Sequence, residues 1–438
     1  MSGLTHTSEM DDGGDAGGTG LERGVGLFGA VSYGVGTIVG AGVYALMGPG
    51  VANAGNAVWL AFVIAAIIAS FTGLCYAKLA SICPTAGAEY DYVGGATNSR
   101  FWSFVVGWLV ILSAVISMAA VALGFGGYLQ ALTNMPATLF AAILIIAMSI
   151  VNFRGIRESV IANIILTTIG VAGVVITILL GAESLGNVDY FEIPKGMNGL
   201  IGAVGVIFFA FIGFEGLVKI GEETKDPTKT IPRALLLSIV ISTSLYVMAA
   251  LSVVSVVPHG ELAGSTSALA DVARVAGGPE LGLAMTLIAL TSTSSTVLVL
   301  SISTSRIAYG MSVRSALPAV FSKIHPREKT PHIAILISSI LALLFCAVGD
   351  IEFVANVANY TIFMVFLAVD LALLILWRKG IIEEIWFALA GILGVITSLI
   401  MLTQFDLKVT LLSLTGAILG MLAYRFFSPY LRPGAIPP

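Results

Sequence analysis

The sequence is poor in charge, in cysteine and in histidine. Only 11% of its 438 residues are Asp, Glu, Lys or Arg, against about 25% in a soluble domain. Its 3 cysteines and 4 histidines lack the spacing of a metal site, and no GxxxxGK[ST] stretch occurs. No basic patch lies outside the short loops, so a nucleic-acid partner is not expected. These absences also argue against an ATP-driven pump and against an enzyme.

Apolar residues make up 57% of the chain, and they fall into long runs. Runs of about 18 residues or more are long enough to cross a bilayer as helices. The eighth run is too long for a simple span, and we expect it to extend past the lipid on one side. The chain is therefore predicted to be an all-α protein of the lipid bilayer with twelve spans, at 27–49, 57–82, 100–130, 136–153, 158–183, 196–222, 231–257, 280–311, 332–349, 352–377, 382–403 and 408–427.

The loop charges predict the orientation of these spans. If the N-terminus is cytoplasmic, the inner segments hold 18 of the 21 lysine and arginine residues, and the outer segments hold only Lys195, Arg274 and Lys408. Cytoplasmic loops carry such an excess of basic residues. We therefore predict a multi-pass protein of the plasma membrane with a disordered tail at 1–26, a second tail at 428–438 and both termini in the cytoplasm. No cleavable signal peptide is recognisable.

Two glycine-rich interruptions divide the first and sixth spans. The first is GTIVGAG at 36–42, and the second is FFAFIGFEG at 208–216. Glycine weakens a helix by about 1 kcal/mol relative to alanine, and unwound backbone within a bilayer must line a cavity or be buried in protein. Each interruption opens a block of five spans, 27–183 and 196–377. An odd number of spans requires the second block to be inverted, which is typical of transporters with a site at mid-membrane. Spans eleven and twelve, 382–427, fall outside the repeat.

Broken helices expose main-chain groups that can bind a zwitterion. The N–H groups at a half-helix start attract negative charge, and free carbonyls at a half-helix end attract cations. Gly40 and Gly42 would let a carboxylate approach the first break, whereas carbonyls near Phe209, Ala210 and Ile212 could take an ammonium. The alternative is close helix packing through small residues, because Gly36 and Gly40 also form a GxxxG pair.

Several motifs in order along the chain resemble the amino acid–polyamine–organocation (APC) superfamily. They are GTIVGAGVY at 36–44, PTAGAEYDY at 84–92, FFAFIGFE at 208–215, GEETKDPTKTIPRAL at 221–235 and SRIAYGM at 305–311. The resemblance implies the five-plus-five inverted fold of leucine-transporter type, with the first and sixth helices discontinuous. It also implies a carboxylate site at Ile38, Gly40, Ala41 and Gly42, and an amino-group site at Phe209, Ala210 and Ile212. Phe209 and Phe214 become candidates for a gate or pocket wall, with packing as the alternative.

Charged residues near the sixth span suggest gating. Glu215 is an acid within a span, where such residues are costly and usually functional. It could bind a proton or a cationic substrate, or it could bond the broken backbone, and a structural or gating role is favoured. The loop that follows holds Glu222, Glu223 and Arg233, which form either an intracellular gate of ion pairs or a solvated cluster. Asp370, two turns before Arg378 in the tenth span, is interpreted as pointing toward the cytoplasmic end.

The coupling ion is left open between sodium, a proton and none. Many relatives carry a lysine in the fifth helix, but Gly170 stands at the position that we assign to it. Ala289, Ser292 and Thr293 resemble the sodium-binding pattern A-x-x-S-[ST], and hydroxyl and carbonyl oxygens suit a hard cation. Carbonyls of Gly36 and Thr37 would complete such a site. Alternatively, these hydroxyls bond back to their own helix, and Ser295 and Thr296 fit the pattern equally well.

The sequence therefore predicts a secondary transporter of an amino acid or amine that works by alternating access, without a cofactor. A neutral amino acid is favoured, because no acidic residue other than Glu215 is obvious near the breaks. The alternatives are a polyamine or cationic amino acid exchanger, and an uncoupled amino acid channel or receptor.

Overall fold

The computed structural model describes residues 25–83 and 87–427, with the side chains of 156–164, 219, 221–223 and 427 left out. Sixteen α-helices lie within these residues: α1 Leu27–Ile38, α2 Ala41–Ala54, α3 Val58–Ile82, α4 Ala88–Thr97, α5 Arg100–Thr133, α6 Ala137–Arg154, α7 Ile156–Gly181, α8 Gly196–Ile207, α9 Pro227–Val256, α10 His259–Leu262, α11 Ala268–Gly277, α12 Pro279–Val313, α13 His332–Cys346, α14 Ile351–Arg378, α15 Ile385–Leu402 and α16 Leu407–Phe427.

The protein is an all-helical membrane protein. Ten helical stretches in its described part are long and apolar enough to cross a bilayer, with α2 and α3 counted as one stretch of 42 residues. Two shorter apolar helices, α1 and α13, accompany them. Each of the twelve predicted spans coincides with one or more of these helices, and α12 has 35 residues, in agreement with the expectation of an over-long eighth span.

Helix ends were predicted less well than helices. The seventh span was expected to begin at 231, after Pro227, but α9 begins at Pro227 itself and contains Pro232. Pro227 occupies the first helical position, where its missing N–H is not needed, after Asp226 in the left-handed region with φ +47°. The short helices α4 and α11 were not predicted, because ten residues are too few for a clear periodic pattern.

The breaks of the two interrupted helices lie in the interior of the helix bundle, where Ile38, Val39 and Phe211 are buried. α1 packs on α9, and α2 packs on α8 and α5, whereas α15 and α16 pack on the outer sides of α14, α3 and α5. Large apolar side chains on other faces, such as Leu336, Ile340 and Leu344 of α13, are exposed. Apolar side chains on the outside and backbone bonds kept within helices are what a lipid environment requires.

Candidate functional site

The first helix breaks between α1 and α2, inside the predicted interruption. Val39 has φ −78° and ψ 75°, and the Gly40 N–H donates to the Ile38 carbonyl over 2.8 Å. This is an inverse γ-turn, after which Gly40 is extended with φ −125° and ψ −140°. α2 then starts at Ala41 without a side-chain cap from Gly40. The N–H groups in the first turn of any α-helix have no carbonyl acceptor within that helix. In α2 these groups include the N–H groups of Gly42 and Val43.

The sixth helix breaks at Ile212 and Gly213. α8 tightens into a 3-10 turn at Phe208–Phe211, and a second 3-10 segment runs over Phe214–Glu223. Gly213 has φ +124°, a conformation that only glycine adopts without strain. The Phe209 carbonyl accepts from the Ile212 N–H at 3.2 Å. Both breaks were predicted from glycine clusters. The structure locates the first break at Val39 and Gly40 and the second at Ile212 and Gly213.

The two breaks lie directly against each other. A β-carbon added at Gly42 would collide with Cα of Ala210, and one added at Gly213 would meet the carbonyl carbon of Thr37 at 3.1 Å. Glycine is therefore needed at both positions for the backbones to approach. The structure thus brings the predicted carboxylate site and the predicted amino-group site together from segments about 170 residues apart in the chain.

Tyr246 of α9 joins the two breaks. Its hydroxyl lies 2.6 Å from the Ile38 carbonyl oxygen and 3.1 Å from the Ala210 carbonyl oxygen, and its side chain is fully buried. One hydroxyl proton is shared between two carbonyl acceptors. The Ala210 carbonyl is among the groups expected to bind a substrate ammonium, so the Tyr246 hydroxyl donates to an oxygen to which that ammonium would donate. Ile38 was instead expected on the carboxylate side.

Sequence reasoning did not single out Tyr246, and it left Thr296 as one of several equivalent hydroxyls. The Ala41 N–H, the first of α2, donates to Oγ1 of Thr296 over 3.0 Å. A tyrosine among apolar residues gives no positional signal, because its partner carbonyls come from remote segments. The signal for Thr296 was the hydroxyl-rich run of α12, whose register only the tertiary structure resolves.

The predicted coupling residues lie where α7, α12 and α2 meet. The Tyr44 hydroxyl of α2 donates to the Gly170 carbonyl over 2.6 Å, and a β-carbon at Gly170 would meet Oγ of Ser292 at 2.6 Å. A lysine at position 170 would therefore not fit beside Ser292. This contact explains in steric terms why glycine stands at that position.

One of the hydroxyls predicted to bind sodium, that of Thr293, has another partner in this structure. Thr293 donates to the Ala289 carbonyl over 2.8 Å, and Thr37 donates to the Gly34 carbonyl over 2.9 Å. Gly36 lies inside α1, where an added β-carbon would meet Cγ2 of Thr167 at 2.9 Å. Bonding back to the same helix, the alternative weighed from the sequence for the hydroxyls of α12, is thus the arrangement found for Thr293. Thr37, which was expected to contribute its carbonyl, makes the same kind of bond with its hydroxyl.

A family comparison decides the identity of this arrangement. The model of a family described as amino acid permease matches residues 25–416, which include both breaks and Tyr246. The chain belongs to this family. As an amino acid permease of the APC superfamily, it is a multi-pass membrane transporter and not an enzyme, and its family implies an amino acid substrate.

Individual relatives of this permease have names that point to several substrates. The branched-chain amino acid permease BcaP of Bacillus subtilis is 29% identical over 381 residues, which are 82% of each chain. The methylthioribose transporter of the same organism is 26% identical over 380 residues, again 82% of each chain. A vacuolar cationic amino acid transporter 4 of Arabidopsis thaliana is 30% identical over 375 residues, 79% of this chain and 62% of the relative.

Glu215 supports the second break of the permease from within. Its carboxylate Oε2 accepts a hydrogen bond of 2.9 Å from the Gly213 N–H, and the residue is only 8% exposed. The carboxylate therefore satisfies a backbone group that the break leaves outside a regular helix. This contact matches the structural role weighed for Glu215 from the sequence.

The phenylalanines of the second break divide between two environments. Phe214 is 1% exposed and packs against Tyr76 and Phe366, at ring distances of 5.8 and 5.3 Å. Phe209 instead belongs to a buried apolar cluster that also holds Ala41 and Ala45 of α2. Phe209 thus lies among residues of the first break, and Phe214 lies in an aromatic cluster between α3 and α14.

The predicted intracellular gate is only partly described. The side chains of Glu222 and Glu223 lie outside the described residues, and Arg233 is exposed at the start of α9. An ion pair not anticipated from the sequence joins α12 to α4, where Arg314 binds the Asp91 carboxylate. The Asp91 side chain is 1% exposed, and the Arg314 guanidinium also lies 5.8 Å from the Tyr90 ring.

Proposed function

We propose that this permease binds a neutral, apolar amino acid between its two helix breaks and carries it across the plasma membrane by alternating access. The observation that carries the proposal is the contact between the breaks, with the start of α2 on one side and the carbonyls bridged by Tyr246 on the other. The N–H groups of a helix start favour a carboxylate, and the carbonyls of Ile38 and Ala210 suit an ammonium.

The surroundings of Phe209 support an apolar substrate side chain. The buried cluster around it draws on α2, α5, α12 and α14 and consists of apolar residues such as Ala120, Val297 and Ala358. Apolar walls with a few convergent polar groups are typical of small-molecule sites. Glu215, the acid that could attract a cationic side chain, already binds the Gly213 N–H. A branched-chain amino acid fits this chemistry and agrees with the name of one relative.

We further propose the five-plus-five inverted arrangement for this chain, with α1 to α7 in one repeat and α8 to α14 in the other. Both repeats begin with a helix that breaks, as expected when related segments form one site. The distribution of basic residues supports cytoplasmic termini. A hinge at each break would let the site open to either side.

A thermal-shift panel on the purified full-length protein tests the substrate class. A ligand that binds only the folded state stabilises it by mass action, which adds about 2.7 kcal/mol to the free energy of unfolding at a hundredfold excess over the Kd and so raises the unfolding temperature. Leucine, isoleucine and valine are expected to raise it, whereas arginine and putrescine are not. If only arginine or putrescine raised the unfolding temperature, the substrate would be cationic and the proposal of a neutral substrate would be wrong. Repeating the panel with sodium and with potassium tests the sodium site at Ser292 and Thr293.

Counterflow in proteoliposomes separates a carrier from a channel or receptor. Vesicles loaded with unlabelled leucine should accumulate external labelled leucine transiently, and uptake should saturate with concentration. Both properties follow from a site that faces one side at a time. Binding without counterflow would contradict the carrier and favour the channel or receptor.

A further inference from the structure

Asp370 of α14 is a buried acid that the proposed binding site does not use. Asp370 is 0% exposed. The sequence suggested that it points toward the cytoplasmic end, but the structure packs it between α14, α3 and α15. A buried ionisable residue within a span is a candidate for function, so its depth and its partners decide what it can do.

The carboxyl group lies near the middle of the bilayer. A β-carbon added at Gly394 would meet Cγ of Asp370 at 2.7 Å, so the carboxyl rests directly on the backbone of α15. Gly394 is close to the midpoint of α15, a helix of 18 residues. Such a helix is about 27 Å long, which is close to the thickness of the hydrocarbon core of about 30 Å. Water is therefore about 12 Å away along either half of α15.

Asp370 has two neighbouring hydrogen-bond donors, Thr72 and the Cys75 thiol, and no ionic partner among the residues that the structure describes. Oγ1 of Thr72 in α3 donates to Oδ2 over 3.0 Å, while Oδ1 has no hydrogen-bond partner. On the same face of α15, one turn beyond Gly394, the buried hydroxyl of Ser398 also has none.

The titratable groups that face Asp370 are the Cys75 thiol and, more remotely, Tyr76, both on α3. α15 offers none. The bases on the packed helices are engaged or distant: Lys78 binds Glu384 over 2.6 Å, and Arg378 lies two turns along α14, about 12 Å away. An ionised Asp370 would thus be an uncompensated charge in hydrocarbon, which burial strongly disfavours.

We infer that the Asp370 carboxyl, enclosed by Thr72, Cys75 and Gly394, is a proton-binding site that couples transport to the proton gradient. The proton binds a carboxylate oxygen from one side of the membrane and leaves to the other. No bond other than O–H forms or breaks. The inference deepens the proposed function, and its coupling part rests on that function, because coupling requires transport. Whether the carboxyl carries a proton can be measured without any substrate.

A continuous packed path connects Asp370 with the second break. Phe366, one turn before Asp370 on α14, packs against Phe214 at 5.3 Å and against Tyr76 at 5.9 Å. Tyr76 lies one turn beyond Thr72 on α3. Any movement of α14 against α3 that accompanies a change at Phe214 therefore also changes the surroundings of the carboxyl. A group whose surroundings differ between two states binds its proton with different affinity in each, which is the requirement for coupling.

The first test compares leucine counterflow with uptake driven by an inward proton gradient, using the full chain in proteoliposomes. Asp370→Asn is expected to keep counterflow and to lose gradient-driven uptake at least about tenfold, together with the acidification of the lumen. Asp406→Asn, on an exposed loop, is the matched control and should behave as wild type. Undiminished driven uptake by Asp370→Asn, or equal loss of both activities, would overturn the inference. Absence of leucine counterflow in the wild type would instead contradict the proposed function.

The second test needs no substrate. Infrared spectra of the solubilised protein near neutral pH should show a protonated carboxylic acid C=O band that disappears in Asp370→Asn and persists in Asp406→Asn. Thr72→Val, which removes the hydrogen bond from Oγ1 of residue 72 to the group, should shift that band. A wild type without a band assignable to residue 370 would show that the carboxyl is ionised and would overturn the inference.

Discussion

Gly42 and Gly213 have a role that no other residue can take, because each allows one helix break to touch the other. At Gly42 the constraint is distance, since Ala210 occupies the space of a side chain. At Gly213 the constraint is also the backbone, with φ at +124°. Other glycines, such as Gly310 in α12, have nothing within 4 Å of an added β-carbon. The same residue type thus carries different meaning at each position.

Gly42→Ala tests the close approach at the first break. The added methyl group should push α2 away from Ala210, with an overpacking cost of about 1–3 kcal/mol. If that strain falls on the site, leucine binding weakens by about tenfold or more. The measurement is leucine affinity from thermal shifts, with Gly310→Ala as the matched substitution in open space. Equal affinities for the two variants would show that the approach of the breaks does not shape the site.

Tyr246→Phe tests the bridge between the breaks. The ring remains while the carbonyls of Ile38 and Ala210 lose a buried donor, at a cost of about 1–3 kcal/mol in the free energy of unfolding. Without ligand, the unfolding temperature of the variant should be lower than that of the wild type. Leucine, whose ammonium can replace the hydroxyl as donor, should raise the unfolding temperature of the variant by more than it raises that of the wild type. Tyr424→Phe, at the contact between α5 and α16, is the control. If leucine raised the unfolding temperature more in the control than in Tyr246→Phe, the ammonium would not take the place of the tyrosine hydroxyl as donor.

At the scale of elements, α4 is attached to its surroundings by polar contacts from three helices. Arg314 at the end of α12 binds Asp91, Lys379 after α14 donates to the Ala96 carbonyl over 2.8 Å, and the Tyr76 hydroxyl of α3 donates to Glu89 over 3.3 Å. A ten-residue helix is too short to be stable alone. Its position therefore depends on these contacts and on its packing against α5 and α14.

Arg314→Met tests this attachment. The methionine keeps the length of the side chain but leaves the buried Asp91 carboxylate without its cation. Because Arg314 is 40% exposed, the loss should lie between the about 0–1 kcal/mol of an exposed pair and the about 3–5 kcal/mol of a buried one. Limited proteolysis should cut the segment around α4 faster than in the wild type. The double variant with Asp91→Asn should regain part of the stability, and failure to regain any would mean that the pair does not act as a unit.

At the scale of the whole molecule, we predict the orientation from charge rather than from contacts. The 21 lysine and arginine residues are distributed in favour of one side for any model with twelve spans and a cytoplasmic start. This asymmetry acts during insertion, when basic loops are retained in the cytoplasm.

A reporter fused to the C-terminus tests this orientation. A fluorescent protein that folds only in the cytoplasm should be bright, whereas alkaline phosphatase, active only outside, should be silent at the same place. Fusions after Lys195, in a predicted outer loop, should give the opposite pair of signals. A silent fluorescent reporter at the C-terminus would contradict the prediction and would require either an odd number of spans or both termini outside.

The chain by itself determined the elements and the location of the breaks. Apolar runs longer than a bilayer is thick specify spanning helices, and the glycine clusters marked both interruptions because local backbone preference is a local property. Tertiary structure alone decided which groups meet. Tyr246 is bonded to Ile38 and Ala210, Thr296 to Ala41, and Asp370 to Thr72, and each pair is 36 to 298 residues apart. Such contacts depend on the packing of helices in three dimensions, and in a sequence that is apolar on every face no periodic pattern indicates which neighbour a side chain has.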